Sequence, residues 1–229
     1  MPEQEHTDLT VKAEIDLYYD LFVPDGAKHA SLLIAVHGYG AHKRYMMREA
    51  RLVAPDNCVI ASIQAPHPHY RPAEDGGYRT GYGWLSSENP EPHIRLHHKF
   101  VLDVIDKLAR DGLIDRGQVF IFGFSQACAL NFKLAFTHPD VLRGLIGVCG
   151  GIPGDLDTNT SYRPFSAETF YLFGDDDEFY TQEQFAGFND KLGAMLPNYE
   201  SKHYEAKHEI TNEMRKDIGQ FLANRPSDP

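Results

Sequence analysis

The stretch VFIFGFSQACAL, Val119–Leu130, decides the fold. A β-branched and aromatic run passes through Gly123 to Ser125 and then into the small, helix-favouring residues Ala127, Cys128 and Ala129. That order predicts a strand, a tight turn and a helix with the serine at the turn. This is the geometry of a nucleophile elbow, G-x-S-x-G, in which the serine is exposed at the top of a sheet. The fifth position is Ala127, which adds one methyl where helix and strand pack closely. A single G-x-S in a chain with 19 glycines carries little weight alone, so its surroundings must carry the reading.

Working outward, short and continuously apolar runs recur: ASLLIAVHG from Ala30, CVIASIQAP from Cys58, LRGLIGVCGG from Leu142 and TFYLFGD from Thr169. Such runs suit strands covered on both faces, as in a parallel sheet flanked by helices. SKHYEAKHE, from Ser201, is more polar and fits a last edge strand. TVKAEIDLYYDLFVP, Thr10–Pro24, alternates apolar and polar residues and predicts early antiparallel strands.

Helical patterns lie between the strands. Ile94, Val101, Val104, Ile105 and Leu108 form one stripe. Thr181 and Gln184 have capping-box spacing ahead of Phe185, Phe188, Leu192 and Met195. A last helix from about Thr211 to Ala223 carries Met214, Ile218, Phe221 and Leu222. The alternation predicts an α/β fold with a doubly wound, mostly parallel sheet in one domain over 1–229. Ligands of such sheets bind outside the carboxyl ends of the strands. Residues 64–93 exceed a short connection, and a long loop in a compact domain is usually functional. It is expected to cover a pocket.

The 229 residues hold 42% apolar and 24% charged side chains, ordinary for a globular protein, and a net charge of −11. That charge disfavours nucleic acid or an anionic membrane surface as partner. The first residues lack a basic and apolar leader, and no apolar run reaches the length of a membrane span. Cys58, Cys128 and Cys149 have no disulfide-like spacing and read as free thiols of a reducing cytoplasm.

A serine hydroxyl attacks only when a base takes its proton, so an acid and a base should follow at strand ends in the order Ser, acid, His. YLFGDDDEFY supplies the acid; spacing alone leaves Asp175, Asp176 and Asp177 open. KHYEAKHEITNE supplies His208 just before the last helix, with His203, inside the expected strand, as rival. LLIAVHGYG supplies a glycine-bearing loop, where the amides of Tyr39 and Gln126 are placed to receive an oxyanion.

With these segments in place the sequence resembles the α/β-hydrolase fold, and within it the phospholipase/carboxylesterase family that includes the acyl-protein thioesterases. The residues concerned are HGYG at His37–Gly40, GFSQA at Gly123–Ala127, GDDD at Gly174–Asp177, and His208. The resemblance covers about residues 30–222. It implies Ser125 as nucleophile, His208 as general base and acid, and Asp177, by register, as the orienting carboxylate. It also implies Tyr39 and Gln126 as the oxyanion hole, and Trp84 as a tryptophan in the loop over the pocket, for which structural packing is an equal alternative. Tyr78 and Tyr82 join Trp84 as candidate substrate contacts, as does Tyr70. The sequence departs from the family at Ala127, in the first 29 residues, in the 64–93 loop and at EFY after the acid. The last three bear on substrate.

The resulting expectation is hydrolysis of a small or medium acyl ester through an acyl-serine, without metal or organic cofactor and without stable membrane association. An acyl-protein thioesterase or lysophospholipase activity is the second reading. A non-catalytic hydrolase-fold binding protein is the rival of another class, and would have lost a triad position. His67, His69, His97 and His98 raise a metal-dependent hydrolase, but no acidic ligand stands at supporting spacing. Cys128 lies about one turn into the helix and Cys149 has no matching elbow, which disfavours a cysteine nucleophile.

Overall fold

The computed structural model describes residues 5–73 and 75–224. In chain order the elements are β1 (Tyr19–Phe22), β2 (Ala30–Val36), α1 (Lys43–Val53), β3 (Val59–Ile63), β4 (His67–Pro72), β5 (Tyr78–Gly83) and α2 (Pro90–Arg110). They continue with β6 (Ile114–Phe124), α3 (Gln126–Thr137), β7 (Gly144–Val148), β8 (Glu168–Gly174), α4 (Gln182–Gly193), β9 (Tyr199–Tyr204) and α5 (Asn212–Ala223).

Seven strands form one sheet in the order β1-β3-β2-β6-β7-β8-β9. Every neighbouring pair is parallel except β1 with β3. This is the doubly wound sheet that the apolar runs predict. Successive side chains of a strand point to opposite faces. Leu32, Ile34 and Val36 therefore join a core with residues of α2, α3 and α4, whereas Leu33 and Ala35 join a second core with residues of α1 and α5. Both faces of β2 are thus apolar, which is why its sequence is continuously hydrophobic. The tie between α1 and α5 is ionic as well: the buried Glu49 accepts from Arg215 Nε at 2.7 Å.

Two expectations change. The alternation from Thr10 to Leu17 forms no strand; only Tyr19–Phe22 pairs, and Leu9, Val11 and Ile15 are exposed. An alternating pattern makes a strand only where a neighbouring edge accepts its hydrogen bonds, and β3 offers partners only to Tyr19–Phe22. The 64–93 segment is not an irregular loop either. It contains the antiparallel hairpin β4–β5, a two-stranded sheet of its own, and the first turn of α2.

The helix signals hold. Thr181 Oγ1 accepts the Gln184 N–H at 3.2 Å, and the Gln184 side chain accepts the Thr181 N–H at 2.8 Å, closing the capping box. Met214, Ile218, Phe221 and Leu222 are all buried on α5. Among the described residues, no helix is long and apolar enough to cross a membrane.

Candidate active site

Ser125 is the single residue between β6 and α3. Its backbone has φ 56° and ψ −122°, a conformation that non-glycine residues rarely adopt and that persists only when the surroundings impose it. They do so here. The Ser125 N–H donates to Val148 O at 2.9 Å, and its carbonyl accepts the Cys128 N–H at 3.0 Å. Ala127, where the elbow motif has glycine, is fully buried. Its methyl faces the side of Gly123 that carries no side chain; a Cβ there would lie 3.3 Å away. One glycine in this pair makes room for the alanine.

His208 lies in the connection from β9 to α5, and its ring reaches Ser125. Nε2 is 2.9 Å from Ser125 Oγ, and Nδ1 is 2.8 Å from Asp177 Oδ2. An ionised carboxylate only accepts, so Nδ1 carries the proton and Nε2 is left to accept from Oγ. Asp177 is held in turn: its Oδ1 accepts the N–H groups of Phe179 at 2.8 Å and Tyr180 at 3.0 Å, and its side chain is fully buried. The three aspartates, which spacing could not separate, thus have different surroundings. Asp175 pairs with His203 Nδ1 at 3.0 Å on the exposed edge strand, and the Asp176 side chain makes no bond to His208. His203, the rival base, is engaged with Asp175 instead of Ser125.

The loop after β2 closes the other side. A Cβ on Gly38 would stand 2.9 Å from Ser125 Cβ and 3.2 Å from Phe124 O, so only glycine allows this approach. Among the described residues, neither the Tyr39 N–H nor the Gln126 N–H donates to a protein acceptor. Two free amides beside a hydroxyl–imidazole–carboxylate chain can receive a negative oxygen while the hydroxyl loses its proton.

Other groups that hold this loop left little trace in the sequence. His37 is fully buried, and its Nε2 accepts the Ala65 N–H at 3.0 Å. Because an amide can only donate, the proton must sit on Nδ1, which donates to Gly38 O at 2.8 Å. Gln64 Nε2 also reaches Nε2, at 2.8 Å. Burial lowers the His37 pKa to about 4. The Gln126 side chain accepts the Trp84 N–H at 2.9 Å, while Trp84 Nε1 donates to His37 O at 2.8 Å. The visible signal was a polar residue directly flanking each motif glycine or serine: His37 before Gly38 and Gln126 after Ser125.

The aromatic residues expected over a pocket are not the rings that meet His208. Trp84 is only 1% exposed, behind the Gly38 loop, and acts there as a hydrogen-bonded core residue. Tyr78 and Tyr82 share one face of the hairpin with Tyr70, and Tyr78 meets Tyr70 edge to face at the exposed end. The opposite face meets Tyr39, because side chains alternate along a strand. The rings that do surround His208 are Phe124, Phe179 and Tyr180, at centroid distances of 4.9, 4.6 and 6.3 Å. Phe179 is exposed and Tyr39 half exposed.

Among the described residues, the one group of three or more histidine, cysteine or acidic donors close enough to share a metal is Cys149, Asp177 and His208. Metal ligation requires a thiolate. Burial and the Asp177 charge push the Cys149 thiol up to about 12, so it stays protonated. Burial likewise raises Cys128. His67 meets His93 at 2.7 Å, and His97 and His98 are buried in the α2 face, so HPH and HH form no joint metal cluster.

Comparison with known proteins agrees with this architecture. The phospholipase/carboxylesterase family profile matches residues 20–225. Esterase PE8 superposes with a TM-score of 0.74 at 18% identity, over 92% of this chain and 99% of that one. The Bacillus cereus carboxylesterase gives 0.70 at 16% identity, over 91% and 94%. Zea mays acyl-protein thioesterase 2 gives 0.66 at 17%, over 90% and 98%. In sequence, the chain is 26% identical over 127 residues to NocK of Nocardia uniformis subsp. tsuyamanensis, which is 53% of this chain and 33% of that protein. The match therefore spans about a third of that relative's length. With a profile match over nearly the whole chain, on a sheet of the same architecture, this protein belongs to the phospholipase/carboxylesterase family.

Proposed function

We propose that this protein is a serine carboxylesterase that cleaves small or medium acyl esters through an acyl-serine intermediate. The observation that carries the reading is the continuous chain Ser125 Oγ–His208–Asp177, with two unengaged amides beside it. Oγ attacks the ester carbonyl while His208 Nε2 takes its proton. The carbonyl oxygen becomes an oxyanion in front of the Tyr39 and Gln126 amides. Collapse breaks the bond to the alcohol oxygen, which receives the proton from Nε2. Water then repeats the sequence on the acyl-serine, releasing the acid and restoring Oγ–H. Asp177 keeps the imidazole in the tautomer that both steps use and stabilises the imidazolium between them.

The same machinery would cleave a thioester, so one screen separates the readings. p-Nitrophenyl esters of graded chain length are assayed beside an acyl thioester and a lysophospholipid, together with fluorophosphonate labelling of the native chain and of Ser125→Ala. Labelling at Ser125 and turnover of the shorter esters support the proposal. Faster turnover of the thioester or lysophospholipid reassigns the substrate. A chain that takes no label and turns over nothing is a binding protein.

A further inference from the structure

One face of the β4–β5 hairpin is built from basic side chains and glycines. The pairing register sets His67 opposite Gly83, His69 opposite Gly81 and Arg71 opposite Arg79. Alternation puts these six on a common face, with Tyr70, Thr80 and Tyr82 on the other. The basic face turns toward the Gly38–Gly40 loop. His69 stacks on Tyr39 at 4.6 Å and 11°, and Arg71 Nη1 donates to Gly40 O at 2.9 Å.

Two glycines make a slot for that arginine. A Cβ on Gly40 would fall 2.8 Å from Arg71 Cζ, and a Cβ on Gly81 would fall 2.7 Å from Arg71 Cδ and 2.8 Å from Gly40 O. Arg71 is therefore a fixed charge bonded to Gly40, and Gly40 stands two residues along the chain from Gly38, the glycine packed against Ser125, a Cα span of at most about 7 Å.

Like charges placed directly opposite on paired strands repel. Among the described residues, neither Arg71 nor Arg79 has a carboxylate partner, in a chain where 33 acidic residues outnumber 22 Lys and Arg. Burial and the neighbouring His93 lower the His67 pKa, which leaves the two guanidinium groups as the permanent charges of this face. Across the cleft the sign reverses, since the loop after β8 carries Asp175, Asp176, Asp177 and Glu178 in succession. The field over Ser125 thus runs from an acidic His208 side to a basic hairpin side. In an acyl-serine mechanism the leaving atom must lie near His208 Nε2, so the acyl part is the portion free to point toward the hairpin.

We propose that the basic face of β4–β5 is an anion subsite, and that the preferred esters carry a carboxylate at the far end of the acyl group, held by Arg71 and Arg79. This rests on the serine esterase reading above and names its substrate class: half-esters of short dicarboxylic acids. Arg71, already bonded to Gly40 O, presents its remaining N–H donors and its charge. Arg79, exposed at the rim, completes a two-guanidinium clamp on the carboxylate.

The test compares the monoethyl esters of succinate, glutarate and adipate with neutral ethyl esters of matching chain length, so that the leaving group never changes. The expected result is at least about tenfold higher kcat/KM for one half-ester, expressed mainly in KM and eroded by added salt. Arg79→Gln should lower kcat/KM for that half-ester at least about tenfold more than for its neutral partner, and Arg79→Lys should restore part of the difference. Half-esters no faster than the neutral series, or equal losses on both in Arg79→Gln, overturn the proposal. If neither series is turned over, the esterase reading has failed and binding decides the subsite separately. Calorimetry of monoethyl glutarate with Ser125→Ala should then show affinity that Arg79→Gln weakens, and absence of binding counts against the subsite.

Discussion

Two connections near Ser125 differ in how much chain they use. Between β6 and α3 there is one residue, Ser125, with both neighbours already in regular structure. Between β3 and α2 the chain runs from Gln64 to Asn89 and builds a hairpin on the way. The short connection is over-determined. Its strained φ is held by bonds to Val148 and Cys128, and the residue after next, Ala127, is fully buried. The long one is tied to the elbow through Trp84 to Gln126, and to the loop after β2 through Trp84 to His37 and the hairpin to Gly40 and Ala41. Bond-making chemistry needs atoms fixed within a fraction of an ångström, which the sheet supplies. Discrimination among substrates needs surface that can differ without moving those atoms, and on the proposed function the long connection would supply that.

The comparison is broken most severely at the short connection. Ser125→Ala should reduce ester turnover by at least about 10^3-fold, measured on freshly purified protein with unchanged thermal stability. Asp177→Asn should cost on the order of 10^4-fold in kcat by stabilising the wrong imidazole tautomer. Asp175→Asn, which loses only an exposed partner of His203, should stay within about threefold. Equal losses in the two aspartate variants would overturn the assignment of Asp177.

Where the two connections meet, the effects are intermediate. Gln126→Ala keeps the amide of residue 126 but leaves the buried Trp84 N–H without its acceptor, so kcat should fall about five- to thirtyfold. A variant with unchanged kcat would mean that the long connection needs no anchor at the elbow.

Acid should loosen the same joint. His37 and His98 both have pKa values lowered to about 4 by burial, and burial also lowers that of His97. Their folded values lie below the unfolded one, so the unfolded chain binds more protons in between. Stability is therefore complete above about pH 6.5 and is lost as pH falls toward 4, at up to about 1.4 kcal/mol per unit for each residue. Thermal melts across that window should show a steep fall, made shallower in His98→Gln.

The smallest expected effect sharpens the contrast from the other direction. Ala127→Gly restores the usual elbow residue, yet should cost about 1 kcal/mol, because glycine is less favourable in a helix and the site already accommodates the methyl. A urea denaturation midpoint above that of the native chain would show that the alanine is strained.

Legibility in the sequence followed the same division. The parallel strands and the α5 stripe were readable because burial on both faces, or on one helical face, leaves a periodic mark. Ser125, His208 and the acidic run were readable because each stands next to a strand end in a known order. The choice of Asp177 came only with a register borrowed from a family, since nothing local separates three consecutive aspartates. The hairpin was missed although GG between two alternating runs, HPHYRP and YRTGYG, is a hairpin signal. Trp84 stayed open between pocket and packing, because a hydrogen bond from an indole to a distant carbonyl leaves no periodicity at all.

The protonated thiol beside Asp177 has a practical side. All three cysteines are buried, and burial raises the pKa of each. Maleimide and iodoacetamide reagents therefore find no native thiolate to attack. One cysteine introduced at the exposed hairpin turn, Asp75→Cys, becomes a unique attachment point for a dye, and its emission can report what docks on the neighbouring arginines without touching Ser125.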